Sequence, residues 1–236
     1  MHPQKALQSL RENPRYFLKY YPLSVAGATE HHAPNARNPF NFVWYKRTSA
    51  VAGGKESHEG ATRPVRFLPK ATVNISSFRI GRIQLDANTE NHHFQALSVP
   101  MVYYDTITTP PGGINTMDAY LLDNGGAEDV MITGQLSNCC FCITPYAGGL
   151  ACVHVNQRGH PSAALGLQNT LSHNGQFANF PGALTLFGRH NYPMQATVIG
   201  VRGAAGWEIF AQFSSDSHKT LSLGSVQIYP GPTTPL

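Results

Sequence analysis

The stretch from Cys139 to Asn156, CCFCITPYAGGLACVHVN, sets two apolar runs on either side of a turn. CCFCIT (139–144) and LACVHVN (150–156) carry the β-branched, aromatic and small apolar residues of strands, and the Tyr-Ala-Gly-Gly segment between them is turn chemistry. The stretch therefore predicts an antiparallel hairpin. With Ile143 opposite Leu150, Phe141 faces Cys152 and Cys139 faces His154. Side chains directly opposed on such strands have Cβ atoms about 4.5–5.5 Å apart, so this register brings a thiol to an imidazole. A slip of one residue would bring Cys140 there instead.

The hairpin holds all four cysteines: Cys139, Cys140, Cys142 and Cys152. Four in 236 residues is far below the density of a disulfide scaffold, which predicts reduced thiols and a cytosolic working compartment. Cys139-x-x-Cys142 has formal zinc spacing, but strand alternation sends those two side chains to opposite faces, so no metal site is expected. Cys140, Cys142 and Cys152 read as small apolar core residues. Cys139 stands apart. It follows Leu136-Ser137-Asn138 at the beginning of a strand, just after the turn-prone Gly134, where an accessible thiol is expected.

Outward from the hairpin the same alternation recurs. Strands are predicted over 72–85, 94–107, 119–123 and 129–136, and again over 183–188, 194–203, 206–214 and 221–230. Turn residues mark TTPPGG (108–113), DNGG (123–126) and RGAAGW (202–207). PSAALGLQNTL (161–171) is the one helical candidate among them. At the N-terminus, Ala6, Leu7, Leu10, Phe17, Leu18 and Tyr21 predict two short helical turns or a kinked helix, interrupted by Pro14. The Ala-, Gly-, Asn- and His-rich residues 24–64 read as loop, with NFVWYKR (41–47) as the segment expected to pack. The pairs His31-His32 and His92-His93 read as solvated loop. The fold expected is α+β, a β-sandwich core of mixed and antiparallel strands with flanking helices. Two regions are expected: a basic N-terminal helical and loop segment, 1–64, and a β-rich catalytic domain, 65–236.

Only 13% of residues are charged, while Gly (22) and Pro (17) are plentiful, which suits short strands and many turns. The net charge of +4 conceals an imbalance: residues 1–70 hold 11 Lys and Arg against 4 Asp and Glu, and the remainder 6 against 9. A basic arm on a mildly acidic core suits an acidic protein surface, a secretion chaperone, a membrane surface or nucleic acid. No helix-turn-helix, zinc-finger or aromatic RNA-binding pattern supports specific nucleic-acid recognition. No apolar run approaches transmembrane length, and the N-terminal residues are not expected to serve as a removable secretory signal.

Leu136-Ser137-Asn138-Cys139, with His154 fifteen positions later on the next strand, resembles the Leu-Ser-Gly-Cys motif of the glutamine deamidase toxins. These are the catalytic domain of cytotoxic necrotizing factor and its relatives, including the Burkholderia lethal factor and the chemoreceptor deamidases. The resemblance covers about residues 133–156, and the cysteine-to-histidine spacing is similar to the necrotizing-factor branch. Asn138 stands where the family has glycine; Asn is the next best tolerated residue where positive φ is required. The resemblance implies a β-sandwich, a cysteine nucleophile (Cys139) and a histidine base (His154), with no cofactor. It implies a host protein as substrate, such as a Rho-family GTPase or a translation factor. It further implies secretion or injection from a bacterium, without a cleavable signal, and action in the host cytosol.

In that chemistry the Cys139 thiolate attacks a glutamine carboxamide, and backbone N–H groups near Asn138 and Cys139 hold the oxyanion with Ser137 supporting the loop. His154 protonates the departing ammonia and activates the water that cleaves the thioester. A third group should orient the imidazole, and the resemblance suggests a backbone carbonyl. Thr133 is a candidate for substrate or loop contact. Asn156 shares the His154 face. The same dyad would serve a cysteine protease or a transglutaminase-like acyltransferase, and a non-catalytic β-sandwich binding module would need only core cysteines.

Overall fold

The computed structural model describes residues 3–21, 23–26, 40–52, 72–82, 92–107, 119–162, 164–174, 182–214 and 222–236. Among these residues the fold is α+β: two mixed sheets packed face to face, with helices on both outer surfaces.

The larger sheet is built from β1 (Leu23–Ala26), β2 (Phe40–Ala52), β3 (Thr72–Arg82), β4 (His92–Val99), β7 (Val130–Thr133), β11 (Gln195–Gly203), β12 (Gly206–Ser214), β13 (Ser222–Tyr229) and β14 (Thr234–Pro235). Its order is β1-β3-β2-β4-β7-β11-β12-β13-β14, with β1–β3 and β4–β7 parallel and the other pairs antiparallel. The smaller sheet contains β5 (Met101–Tyr103), β6 (Tyr120–Asp123), β8 (Cys140–Tyr146), β9 (Gly149–Asn156) and β10 (Thr185–Phe187). Its order is β10-β8-β9-β5, and β6 also pairs with β9, alongside Gly149–Cys152.

The predicted strands all have counterparts, with two corrections of extent. The run 94–107 is not one strand. It divides at Pro100, which has no N–H to give to a ladder, and there the chain leaves the large sheet as β4 and enters the small one as β5. His92 and His93 begin β4 rather than lying in a loop, paired with Trp44 and Val43. His31-His32 and the 108–113 turn fall outside the described residues.

Alternation sorts side chains into three cores. Between the sheets lie Leu97 and Val99 of β4, Met131 of β7, Phe141 and Ile143 of β8, Leu150 and Cys152 of β9, and Val198, Ile209 and Ile228 of the large sheet. The opposite face of β8 and β9, with Cys140, Cys142, Val153 and Val155, packs under Leu167 and Leu171 of α3 (Ala164–Asn174). The outer face of the large sheet, with Val130, Ile132, Ile199, Val201 and Phe210, is covered by α1 (Pro3–Glu12) and α2 (Pro14–Tyr20) through Leu7, Leu10, Phe17 and Leu18. Each such Leu or Phe side chain, fully buried, contributes about 1.5–3 kcal/mol.

The predicted break at Pro14 is real. Pro14 opens α2, and Asn13 caps it by accepting the Tyr16 N–H at 3.1 Å. Gln212 of β12 then fastens the end of α2 to the sheet. Its Nε2 donates to the Leu18 and Tyr21 carbonyls, and its Oε1 accepts the Leu23 N–H. α1, α2, β1 and β2 all pack on or pair within the large sheet, and inside residues 24–64, read as loop, Phe40–Ala52 form the strand β2. Among the described residues no helix is long and apolar enough to cross a membrane.

Candidate active site

The hairpin forms with a tighter turn than its sequence suggests. Strand pairing runs through Pro145 and Tyr146 to Tyr146↔Gly149, so the loop is Ala147-Gly148 alone. The register is Ile143↔Cys152 and Phe141↔His154, two residues away from the expected one. A shift of two preserves the face, because side chains alternate with period two. Cys139 and His154 thus share the inner face but are diagonal, a relation that separates opposed strand positions by about 7–8 Å. Continuing the register places Asn156, not His154, directly across from Cys139.

His154 is fully buried between the sheets, and its orientation comes from the far side of the sandwich. Its Nδ1 lies 2.8 Å from Thr133 Oγ1 of β7, and Thr133 Oγ1 is also 2.8 Å from the Val99 carbonyl of β4. Thr133 has one hydroxyl hydrogen, and a carbonyl can only accept, so that hydrogen goes to Val99. Thr133 must then accept from His154, which fixes the proton on Nδ1 and leaves a lone pair on Nε2. Among the described residues Nε2 has no hydrogen-bond partner. Burial drives the imidazole pKa from 6.5 down to about 3, so the ring is neutral near neutral pH.

Thr133, expected as a candidate for substrate or loop contact, lies instead against the histidine ring. It is fully buried, its hydroxyl is committed on both sides, and it is the group that orients the histidine. The backbone carbonyl suggested for that role is present one step behind it, as Val99 O.

Cys139 is also buried, at 2% exposure, against the expectation of an accessible thiol; the exposed residues are its neighbours Ser137 and Asn138. Leu136 causes this. It bridges Ala196 of β11 through N–H···O bonds of 2.8 and 2.9 Å, so the chain is already held to the large sheet as it enters β8. Burial pushes the Cys139 thiol above its ordinary range. Hydrogen bonding from the Asn138 and Ser137 backbone and from the Asn156 side chain opposes that shift. Asn156 Nδ2 lies 3.4 Å from Cys139 Sγ. Cys140 is raised to about 12 by burial and by its neighbour Cys139, and Cys142 and Cys152 are raised by burial, as core thiols are.

Tyr192 completes the surroundings and has no signal in the hairpin sequence, since it arrives from 53 residues downstream. Its hydroxyl donates to the Cys139 carbonyl at 2.8 Å, and its ring packs on Phe187 at 5.7 Å. The loop that carries it is pinned to α3. Gln168 donates to Asn191 Oδ1 at 2.8 Å and accepts the His190 N–H at 2.6 Å.

The structure thus gathers Cys139, His154, Thr133, Asn156 and Tyr192 at one end of the inter-sheet core, with the Ser137-Asn138 turn at its exposed lip. Sγ and Nε2 are not hydrogen bonded to each other. Among the described residues no three His, Cys, Asp or Glu side chains converge as metal ligands. The class these features define is a mixed-sheet α+β sandwich with a cysteine and an oriented neutral histidine on one inner face. No protein-family model matches the chain, and no curated protein matches it.

Proposed function

We propose that this chain is a protein glutamine deamidase of the toxin or effector type, with Cys139 as nucleophile and His154 as base. One observation carries the reading: His154, its ring locked by Thr133 and Val99, presents an Nε2 lone pair that no group among the described residues takes up, on the face that also bears Cys139. A buried histidine serving only as packing gains nothing from an orphaned Nε2, which costs about 1–3 kcal/mol. A general base needs that lone pair.

The reaction starts from a neutral pair. Once entering water or substrate relieves the burial that holds the imidazole at about 3, the thiol turns toward Nε2, its proton passes to the imidazole, and Sγ attacks the carboxamide carbon. Backbone N–H groups at Ser137 to Cys139 take the oxyanion. Imidazolium returns the proton to nitrogen, ammonia leaves, and a thioester remains. His154 then removes a proton from water, hydroxide adds to the thioester carbonyl, and the thiol departs with glutamate as product. Thr133 keeps the ring in the productive tautomer throughout, the role of the third member in catalytic triads. A host-cell protein as substrate, and delivery into the host cytosol, follow from the family resemblance.

The burial of both groups favours a second reading, a non-catalytic sandwich whose hairpin is only core. Host-cell lysate treated with wild-type protein and with Cys139→Ser separates the two. Peptide mass spectrometry is expected to find one glutamine converted to glutamate by wild type and unchanged by the folded variant. Cleaved or amine-crosslinked peptides would move the dyad to proteolysis or transglutamination. Identical lysates with both proteins folded would favour the non-catalytic sandwich.

A further inference from the structure

Asn156 is the residue the register sets across from Cys139, and both ends of its side chain are assigned. Oδ1 accepts the Arg158 N–H at 2.9 Å in the turn that ends β9, which leaves Nδ2 as the donor. Nδ2 lies 3.4 Å from Cys139 Sγ and 3.4 Å from Met101 Sδ of β5. Its two hydrogens are thereby directed at two sulfurs. The turn is itself held: His160 N–H bonds the Gln157 carbonyl at 2.8 Å, and the Arg158 guanidinium lies 4.6 Å from the Tyr103 ring centroid. The amide is therefore oriented by backbone and not by the thiol.

We propose that Asn156 is the positioning residue of Cys139: its amide N–H holds Sγ at the lip of the inter-sheet core and stabilises the thiolate once it forms. This rests on Cys139 as the nucleophile. An N–H donor to an anionic acceptor is stronger than one to a neutral acceptor, so the bond tightens as the proton leaves. It also keeps the resting sulfur directed to Asn156 while Nε2 of His154 is without a partner among the described residues. The titratable groups around the thiol are Cys140 in the same strand, His154 on β9, and Tyr192 with Arg189 behind it. Among the described residues no side-chain donor to Sγ other than Asn156 is found.

The test titrates Cys139 in the full chain by the 13Cβ shift of labelled cysteine, which needs no reagent to enter the core; Cys139→Ser assigns the signal. Asn156→Leu removes the donor without adding charge, and Asn156→Asp keeps the acceptor for Arg158 N–H, so the turn survives if the leucine variant does not fold. Both midpoints should lie about one pH unit above wild type, or about a tenfold loss of thiolate at fixed pH. Asn156→Gln, which retains the amide, should recover part of the shift. A leucine midpoint equal to wild type would overturn the proposal, as would an aspartate midpoint at or below wild type where only that variant folds. The titration does not depend on turnover. A shifted midpoint in a protein that deamidates nothing would defeat the functional reading and leave the Asn156–Cys139 coupling standing.

Discussion

Thr133 has one hydroxyl and two obligations, to the Val99 carbonyl and to His154 Nδ1. Thr133→Val keeps the shape and removes both. The variant should lose about 1–3 kcal/mol of stability, since it strands a buried N–H and weakens a carbonyl. It should also lose about 10–100-fold in deamidation rate, because the imidazole is free to adopt the other tautomer. Thr133→Ser should retain most of both. Long-range 1H–15N spectra of the imidazole check the cause independently of turnover: wild type should show the Nδ1–H tautomer, and the valine variant a mixture. At this scale the sequence marked Cys139, His154 and Thr133 as candidates and set Asn156 only on the His154 face, because all four lie within one hairpin and the strand before it. It could not mark Tyr192 or Val99. Their roles depend on which loop and which strand come to lie beside the hairpin, and that is decided by packing between segments remote in the chain.

The hairpin shows what alternation reveals and what it conceals. Period-two patterning placed Cys139, Phe141 and Ile143 on one face with Cys152 and His154, and that survives any register error of two residues. Turn length does not survive it, because Pro145 and Tyr146 have turn chemistry yet pair as strand. The two-residue loop is held by Gly149, whose φ is +154° and whose added Cβ would stand 1.9 Å from the Leu122 carbonyl of β6. A Cβ there forces β6 off the end of β9. Gly149→Ala should therefore cost about 1–3 kcal/mol or more, with loss of amide protection along Tyr120–Asp123 in hydrogen exchange. Gly125→Ala, with nothing within 4 Å of the added carbon, should leave the urea midpoint nearly unchanged. An unaltered midpoint for Gly149→Ala would mean that β6 does not set the turn. The break at Pro100 was missed, because 94–107 alternates like one strand and a missing N–H ends a ladder without saying where the chain goes next.

Among the described residues the two sheets meet through apolar contacts, through the hydrogen bond from His154 to Thr133 at one end, and through Trp207 Nε1 of β12 donating to the Asp123 carbonyl of β6 at 3.2 Å. A buried neutral histidine at such a junction ties the closure of the sandwich to pH. The unfolded chain binds a proton there at the ordinary histidine value of 6.5, and the folded chain resists until about 3. Between those limits the unfolded state holds the extra proton, so stability falls as pH falls. The contribution is complete above pH 6.5 and is lost progressively on descent toward about 3, with a slope approaching about 1.4 kcal/mol per pH unit. Urea unfolding of wild type and His154→Gln at pH 7.0, 6.0 and 5.0 should show the wild type losing stability faster. Wild type should lose ground relative to His154→Gln at each step, because glutamine has nothing to titrate. Parallel curves would mean that the imidazole takes its proton without the sheets parting, as it would if a nearby group or entering water solvated Nε2. A base protonated inside the closed sandwich by entering water is one that solvent reaches without the sheets parting. That outcome would weaken the objection that burial raises against catalysis, while a wild type that loses ground with falling pH would require the lip at Ser137-Asn138 to open before the reaction begins.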